Sequence, residues 1–247
     1  MIAPLLTIAA LLGAWELYVD LGGVDDLLLA SPSQIATALF EDRGLLLDNL
    51  GVTATEVGLG ILLSLVLGLA LAVAIHLSPP LRRALYPLMV GSQAVPIVIV
   101  APLLVYWLGF GILPKLAIIA LVCFFPVVVT TVSGLQSVDP ELRKLMRTLD
   151  ATRWQAFRLA ELPAALPAAL AGTRIAVAIA VIGAVFAEYS GSTKGLGNLL
   201  LKSGPSLQTA RGYAAVVILA AFAVALFYAL GLAERRLLAH RPKGTPS

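Results

Sequence analysis

The sequence predicts an all-α integral membrane protein with about six transmembrane helices. Three observations predict it. Hydrophobic residues make up 60% of the 247-residue chain and charged residues only 13%, with a mean hydropathy of +0.96, beyond what a soluble domain carries. Roughly six apolar segments are long enough to cross a hydrocarbon core. Between the fourth and fifth of them lies a polar stretch with helical periodicity. A pI of about 9.2 would also suit a nucleic-acid binder. Lys and Arg, however, gather at the ends of apolar segments, which fits membrane topology, and no nucleic acid is expected as a partner.

Taken in order, the first span covers 2–19. It lacks a basic n-region and a small-residue cleavage site, so it reads as a retained anchor. A polar stretch over 20–55 follows, with Asp20, Asp25, Asp26, Glu41, Asp42 and Asp48 against one basic residue, Arg43. The second span, 56–76, carries a small-residue stripe of Gly58, Gly60, Ser64 and Gly68 that permits close helix approach. Spans at 85–108 and 114–135 precede the polar loop 136–163. Spans at 164–187 and 212–238 follow it, ending in a short basic tail. The glycine-rich segment 191–197 reads as an external turn. Cys123, the single cysteine, lies in an apolar run and reads as a small buried side chain. It excludes an intramolecular disulfide and a multi-thiolate metal site. Without an internal repeat or a linker, one membrane domain over 1–247 is the simplest organisation.

Charge placement sets the orientation. With the N-terminus cytoplasmic, the inner face holds Arg82, Arg83, Arg143, Lys144, Arg147, Arg153, Arg158, Arg235, Arg236, Arg241 and Lys243. The outer face keeps Arg43, Lys115, Lys194, Lys202 and Arg211. Eleven against five favours cytoplasmic termini and a cytoplasmic 136–163 loop.

That loop predicts two short helices. The first has Asp139 as N-cap, Pro140 at the first helical position and Glu141 in the first turn. Leu142, Leu145, Met146 and Leu149 recur at i, i+3, i+4, i+7, with Arg143, Lys144 and Arg147 between them. Thr152 to Gln155, enclosing Arg153, has capping-box spacing, and Leu162-Pro163 closes the segment. An amphipathic helix between two spans suits docking into a groove on a soluble partner. The same composition also suits a helix lying on anionic membrane lipid.

Polar groups inside the spans are the other candidates. Ser92, Gln93 and Pro96, flanked by Pro87 and Pro102, would make a kinked helix wall for a solute path, or Gln93 would bond to a neighbouring helix. Arg174 lies about halfway along the fifth span. It stands near an anionic solute, holds a structural pair, or snorkels to the interface. Glu188 ends that span as an interface or gate residue. No second carboxylate, His or metal cluster accompanies it, and His76 and His240 lie far apart, so no catalytic residue and no metal site is assigned. The chain has no Gly-x-x-x-x-Gly-Lys-Ser/Thr, hence no phosphate loop of that kind. Its energy must come from a partner or an ion gradient. An ATP-driven importer subunit, a gradient-driven secondary transporter and a membrane enzyme all stay open on the residues alone.

The 136–163 loop resembles the coupling loop of permease subunits of type I ABC importers, with its Glu-Ala-Ala, a glycine, and a terminal Ile-x-Leu-Pro. Anchored on Leu162-Pro163, the alignment puts Asp150 at the family glycine, Ala160 at the isoleucine and Lys144-Leu145-Met146 at Glu-Ala-Ala. Aspartate tolerates left-handed geometry better than most residues, so the turn is expected to survive. Ala30-Ser-Pro-Ser-Gln34, Ser92-Gln-Ala-Val-Pro96, Trp107-Leu-Gly-Phe-Gly111, Arg153-Trp-Gln-Ala-Phe157 and Gly183-Ala-Val-Phe-Ala-Glu188 are similar to the branch handling nitrate, sulfonates, taurine and thiamine precursors. Within it, Cys123-Phe-Phe-Pro and Val138-Asp-Pro-Glu lean toward pyrimidine-precursor or riboflavin-type permeases.

The resemblance implies the type I permease fold in the bacterial inner membrane. It implies a homodimer of permeases, an ABC ATPase subunit docked on Glu141, Leu142, Leu145, Met146, Leu149, Asp150, Arg153, Leu162 and Pro163, and an extracytoplasmic substrate-binding protein. ATP and Mg would sit on the ATPase, with no cofactor on this chain.

Overall fold

Inside a hydrocarbon core each backbone polar group must be satisfied within its own segment, so the apolar runs fold as helices. The computed structural model describes residues 2–22, 25 and 27–238. Asp26, His240, Arg241 and Lys243, assigned above to the polar stretch and the basic tail region, lie outside them. Among the described residues every regular element is a helix. They are α1 (Ile2–Gly22), α2 (Pro32–Glu41), α3 (Arg43–Leu77), α4 (Pro79–Ser92), α5 (Ile97–Leu108), α6 (Ile112–Gln136), α7 (Pro140–Thr148), α8 (Arg153–Ala156), a π turn (Phe157–Glu161), α9 (Leu162–Gly191), α10 (Leu196–Ser203) and α11 (Thr209–Leu238). Among the described residues searched, α3, α6, the run Arg153–Gly191 and α11 are long and apolar enough to cross a membrane. The bent pair α4–α5 makes a fifth crossing if it is one span. The 21 residues of α1 give it the length of a sixth.

Three boundaries differ from the sequence reading. First, much of the polar stretch 20–55 is helical, and the second span does not begin at Glu56: α3 starts at Arg43 and runs 35 residues. Its polar N-terminal positions stay helical because Asn49, Thr53 and Glu56 are buried against partners on other helices. Second, the predicted span 85–108 is two helices meeting at 106°. The N–H groups of Gln93, Ala94 and Val95 turn back onto Val90, Gly91 and Ser92. Pro96, which has no N–H to continue the ladder, starts α5 from an extended conformation. Third, Leu162-Pro163 does not close the loop, and the second short helix is not separate. The stretch Arg153–Gly191 is one 39-residue helix. A proline inside a helix leaves one carbonyl unmet and crowds it. The π turn directly before Pro163, in which Leu162 N–H reaches Phe157 O, opens the backbone there.

Packing centres on α6, which lies against α9 on one side and α3 on the other. The small-residue stripe explains the second contact only in part. Gly60 faces Ile119 and Gly68 faces Val127 so closely that no Cβ would fit, and Ser64 is buried between them, whereas Gly58 faces open space. Cys123 is buried in the same core. The segment 30–34 starts α2 by a full capping box, Ser31 with Gln34, with Pro32 in the first turn. Arg211 at the start of α11 grips Asp42 with two hydrogen bonds, 2.6 and 2.8 Å, fixing the corner between α2 and α3.

Candidate functional site

Helix α7 sits between the ends of α6 and α8, and the sequence signals that define it are present. Asp139 caps it by accepting from Glu141 N–H at 2.8 Å, and Pro140 occupies the first turn. None of its residues is buried. Leu142, Leu145 and Leu149 are 39%, 54% and 68% exposed, so an apolar ridge faces outward with nothing covering it. Met146, placed on that ridge by spacing, is instead half-buried and turned inward, lining a pocket between α7 and α8. Glu141 is exposed beside the ridge. The Thr152–Gln155 capping box forms, and Arg153 reaches the Leu77 carbonyl at 3.4 Å. Leu162 is exposed and Pro163 lies in the first turn of α9.

Asp150 ends α7 in the left-handed region, φ +51°. Asp150 N–H donates to Arg147 O at 3.1 Å and Ala151 N–H to Met146 O at 3.0 Å. That pair of bonds is a Schellman cap with aspartate where glycine is usual. The turn survives because aspartate tolerates this conformation at a modest penalty. Asp150→Gly is expected to stabilise the cap by up to about 1 kcal/mol, and Asp150→Ile to weaken it by more. Hydrogen exchange at the amides of 150 and 151 measures this. Faster exchange in the glycine variant would refute it.

Ser92, Gln93 and Pro96 come together as expected. With Val95, Ile97, Val100, Leu121, Val122 and Ile179 they line an open cavity of about 450 Å³ at the α4–α5 break. No charged residue lines it. The Ser92 hydroxyl donates to Met89 O at 2.7 Å. The Gln93 amide is exposed and no hydrogen-bond partner for it is found among the described residues, so the helix-packing alternative lacks a partner.

Arg174 and Glu188 lie elsewhere. Arg174 pairs with Glu234 of α11 at 2.7 Å and lies over the Phe227 ring, 5.3 Å from its centroid. Of the roles left open, the structural pair is the one for which a partner is present. Glu188 is fully buried. Its carboxylate accepts from Thr53 Oγ1 at 2.6 Å and from the N–H groups of Gly197 (2.6 Å) and Asn198 (3.2 Å). It therefore caps α10, where the helix dipole favours negative charge.

Around it stand residues the sequence reading missed. Leu196 N–H donates to Thr53 Oγ1 at 2.9 Å and Gly195 N–H to Asn49 Oδ1 at 2.7 Å. Lys115, counted above on the outer face, is buried. It bonds to Glu56 Oε1 at 2.5 Å and Ser192 Oγ at 2.7 Å. The signal was available: continuing the stripe Gly68, Ser64, Gly60 toward the N-terminus at helical spacing lands on Glu56, Thr53 and Asn49. Gly195 closes the network at φ +115°, and a Cβ there would lie 2.2 Å from the Glu188 carboxyl carbon. Gly195→Ala is therefore expected to destabilise the chain by about 3 kcal/mol through strain and overpacking. A thermal midpoint in detergent equal to wild type would show that the network yields instead.

On the α7 side, His76 Nε2 and Glu161 Oε2 lie 2.6 Å apart, and Arg143 Nε lies 3.4 Å from Glu161 Oε1. Arg143 also donates to Leu135 O at 3.0 Å. These contacts fasten α7 to the ends of α3, α6 and the π turn.

Comparison with known proteins gives a consistent result. Residues 64–243 match the family described as "Binding-protein-dependent transport system inner membrane component". A probable ABC transporter permease protein of Haemophilus influenzae is 34% identical over 230 residues, covering 93% of this chain and 94% of the relative. The formylaminopyrimidine transport permease protein of Halalkalibacterium halodurans is 34% identical over 241 residues, covering 97% and 96%. In fold, the chain is similar to a crystal structure of an amino acid ABC transporter with histidines. The TM-score is 0.67 at 17% identity, over 81% of this chain and 97% of that one.

Proposed function

The chain belongs to the family of inner membrane components of binding-protein-dependent transport systems, and from that premise we propose how its parts divide the work. It is the multi-pass transmembrane subunit of an importer in the bacterial inner membrane, and family membership sets aside the gradient-driven carrier. Such permeases work with an ATPase and a substrate-binding protein. In our reading α7 is the coupling helix, and Leu142, Leu145 and Leu149 insert into a groove of the ATPase, with Glu141, Asp150 and Arg153 shaping the edge. ATP and Mg bind there, and this chain carries no catalytic residue. Two copies pair in the membrane, with both termini of each copy in the cytoplasm.

The solute passes the cavity of Ser92, Gln93 and Pro96, which a second copy would close. Its walls offer an amide, a hydroxyl and apolar surface but no charge. They suit a small neutral heterocycle, the chemical class named for the formylaminopyrimidine relative, over a sulfonate, taurine or nitrate. Arg174, paired with Glu234, and Glu188, closed into the buried network, hold the bundle together in place of lining that path.

The observation that carries this reading is the exposed ridge of α7, a capped helix with three leucines facing outward between two spans. Extraction of the tagged chain in mild detergent tests it. A stoichiometric ATP-binding subunit is expected to accompany it. A chain that transports its solute with no ATPase attached would end the proposal.

A further inference from the structure

The pocket on the inward side of α7 has a composition that docking does not explain. It encloses about 290 Å³, and Arg143, Arg147, Arg153, His76 and Glu161 supply its polar lining. Three guanidinium groups face one carboxylate. Glu161 is already engaged by His76 through one oxygen and by Arg143 through the other. Arg153 has only a long bond to the Leu77 carbonyl, and no ion pair of Arg147 is found among the described residues. The pocket lining therefore carries a surplus of fixed positive charge on guanidinium groups, whose planar fork matches an oxyanion.

Its position narrows the class of anion. His76 and Leu77 end the span α3, and Ala156, Ala160 and Glu161 lie in the N-terminal part of the 39-residue helix Arg153–Gly191. Leu142, Leu145 and Leu149 do not line this pocket, and of the docking residues proposed above only Arg153 does. A basic pocket between helix ends on the cytoplasmic side is where phosphate headgroups bind.

We propose that Arg143, Arg147 and Arg153 form a binding site for a phosphate-class oxyanion, carried by an anionic phospholipid headgroup or free in the cytosol, beneath the coupling helix. The inference rests on the cytoplasmic assignment of α7 made above. The bound phosphate would tie α7 to the ends of α3 and α9, so that the segment moves with the spans.

The test uses the full chain purified with its ATPase from cells, then exchanged into vesicles of phosphatidylethanolamine with and without cardiolipin. Retained cardiolipin is counted by native mass spectrometry. Wild type is expected to keep it. Arg147→Gln should lower its affinity roughly fivefold, and Arg147→Gln with Arg153→Gln by a further similar factor. Titration with inorganic phosphate separates the sources. Displacement of the lipid at millimolar phosphate identifies the free ion as a ligand of the same site, whereas no displacement identifies the headgroup. Equal retention by wild type and both variants overturns the proposal. So does loss of the ATPase from the arginine variants with cardiolipin unchanged, which would assign the arginines to the protein partner. If no ATPase accompanies even the wild-type chain, the coupling reading fails separately, because lipid retention is still read on the permease alone.

Discussion

Replacing Leu145 and Leu149 together by glutamate is expected to strip the ATPase from the permease while leaving the permease folded. The two side chains are more than half exposed, and α7 buries none of its residues. Its shape is held by the Asp139 cap, the Asp150 turn and the Arg143 contacts, none of which uses the side chains of Leu145 or Leu149. The two substitutions together therefore change the chain's own stability by no more than about 1 kcal/mol. On the partner side, an apolar anchor seated in a pocket contributes about 2 kcal/mol or more, and each glutamate also brings a charge into that pocket. Affinity should fall by at least about a thousandfold for the pair. Solute uptake should disappear with it. Quantifying the ATPase in pull-downs from wild type and variant decides the matter. An unchanged ratio would mean that the ridge serves something else.

The largest expected effect on stability is that of Lys115→Met. Lys115 and Glu56 are 8% and 3% exposed. Removing the ammonium leaves the buried Glu56 carboxylate without its ion-pair partner, a loss of about 3–5 kcal/mol. Adding Glu56→Gln removes the stranded charge, so the double variant should recover most of that loss. Thermal unfolding of the two single variants and the double variant in detergent supplies the cycle. Additive losses would mean that the two groups act independently despite their contact.

What the sequence made legible was local. Caps such as Asp139 and the Thr152–Gln155 box depend on neighbours a few residues away. They read correctly because the physics is short-ranged. Asp150 belongs with them: its turn was expected from the residue's tolerance of positive φ. The Glu188 network was not legible in the same way. It joins Asn49 and Thr53 to Gly195 and Leu196 across most of the chain, and Lys115 reads as a topological marker until its partner Glu56 is placed beside it. At Ser92–Pro96 the prolines announced a bend, but its angle is set by the turn of Gln93, Ala94 and Val95, which no proline count contains. Met146 shows the limit of periodicity: four apolar positions on one stripe do not say which edge of the stripe faces inward. Arg174 could be listed with its possible roles, but its partner Glu234 on the distant α11 could not be read from its neighbours.

The π turn at 157–161 is a matter of rotational phase. One residue more than an α-helix needs is wound into the rod that joins Arg153 to Gly191. Were the same residues wound as regular α-helix instead, everything before them would turn by roughly 100° relative to the spans. The capping box at Thr152, Trp154 stacked on Phe157 and the whole of α7 would then point to a different side of the molecule. The register of that single turn fixes the compass bearing at which the membrane body presents its ridge, as a spline fixes the angle between a shaft and its gear.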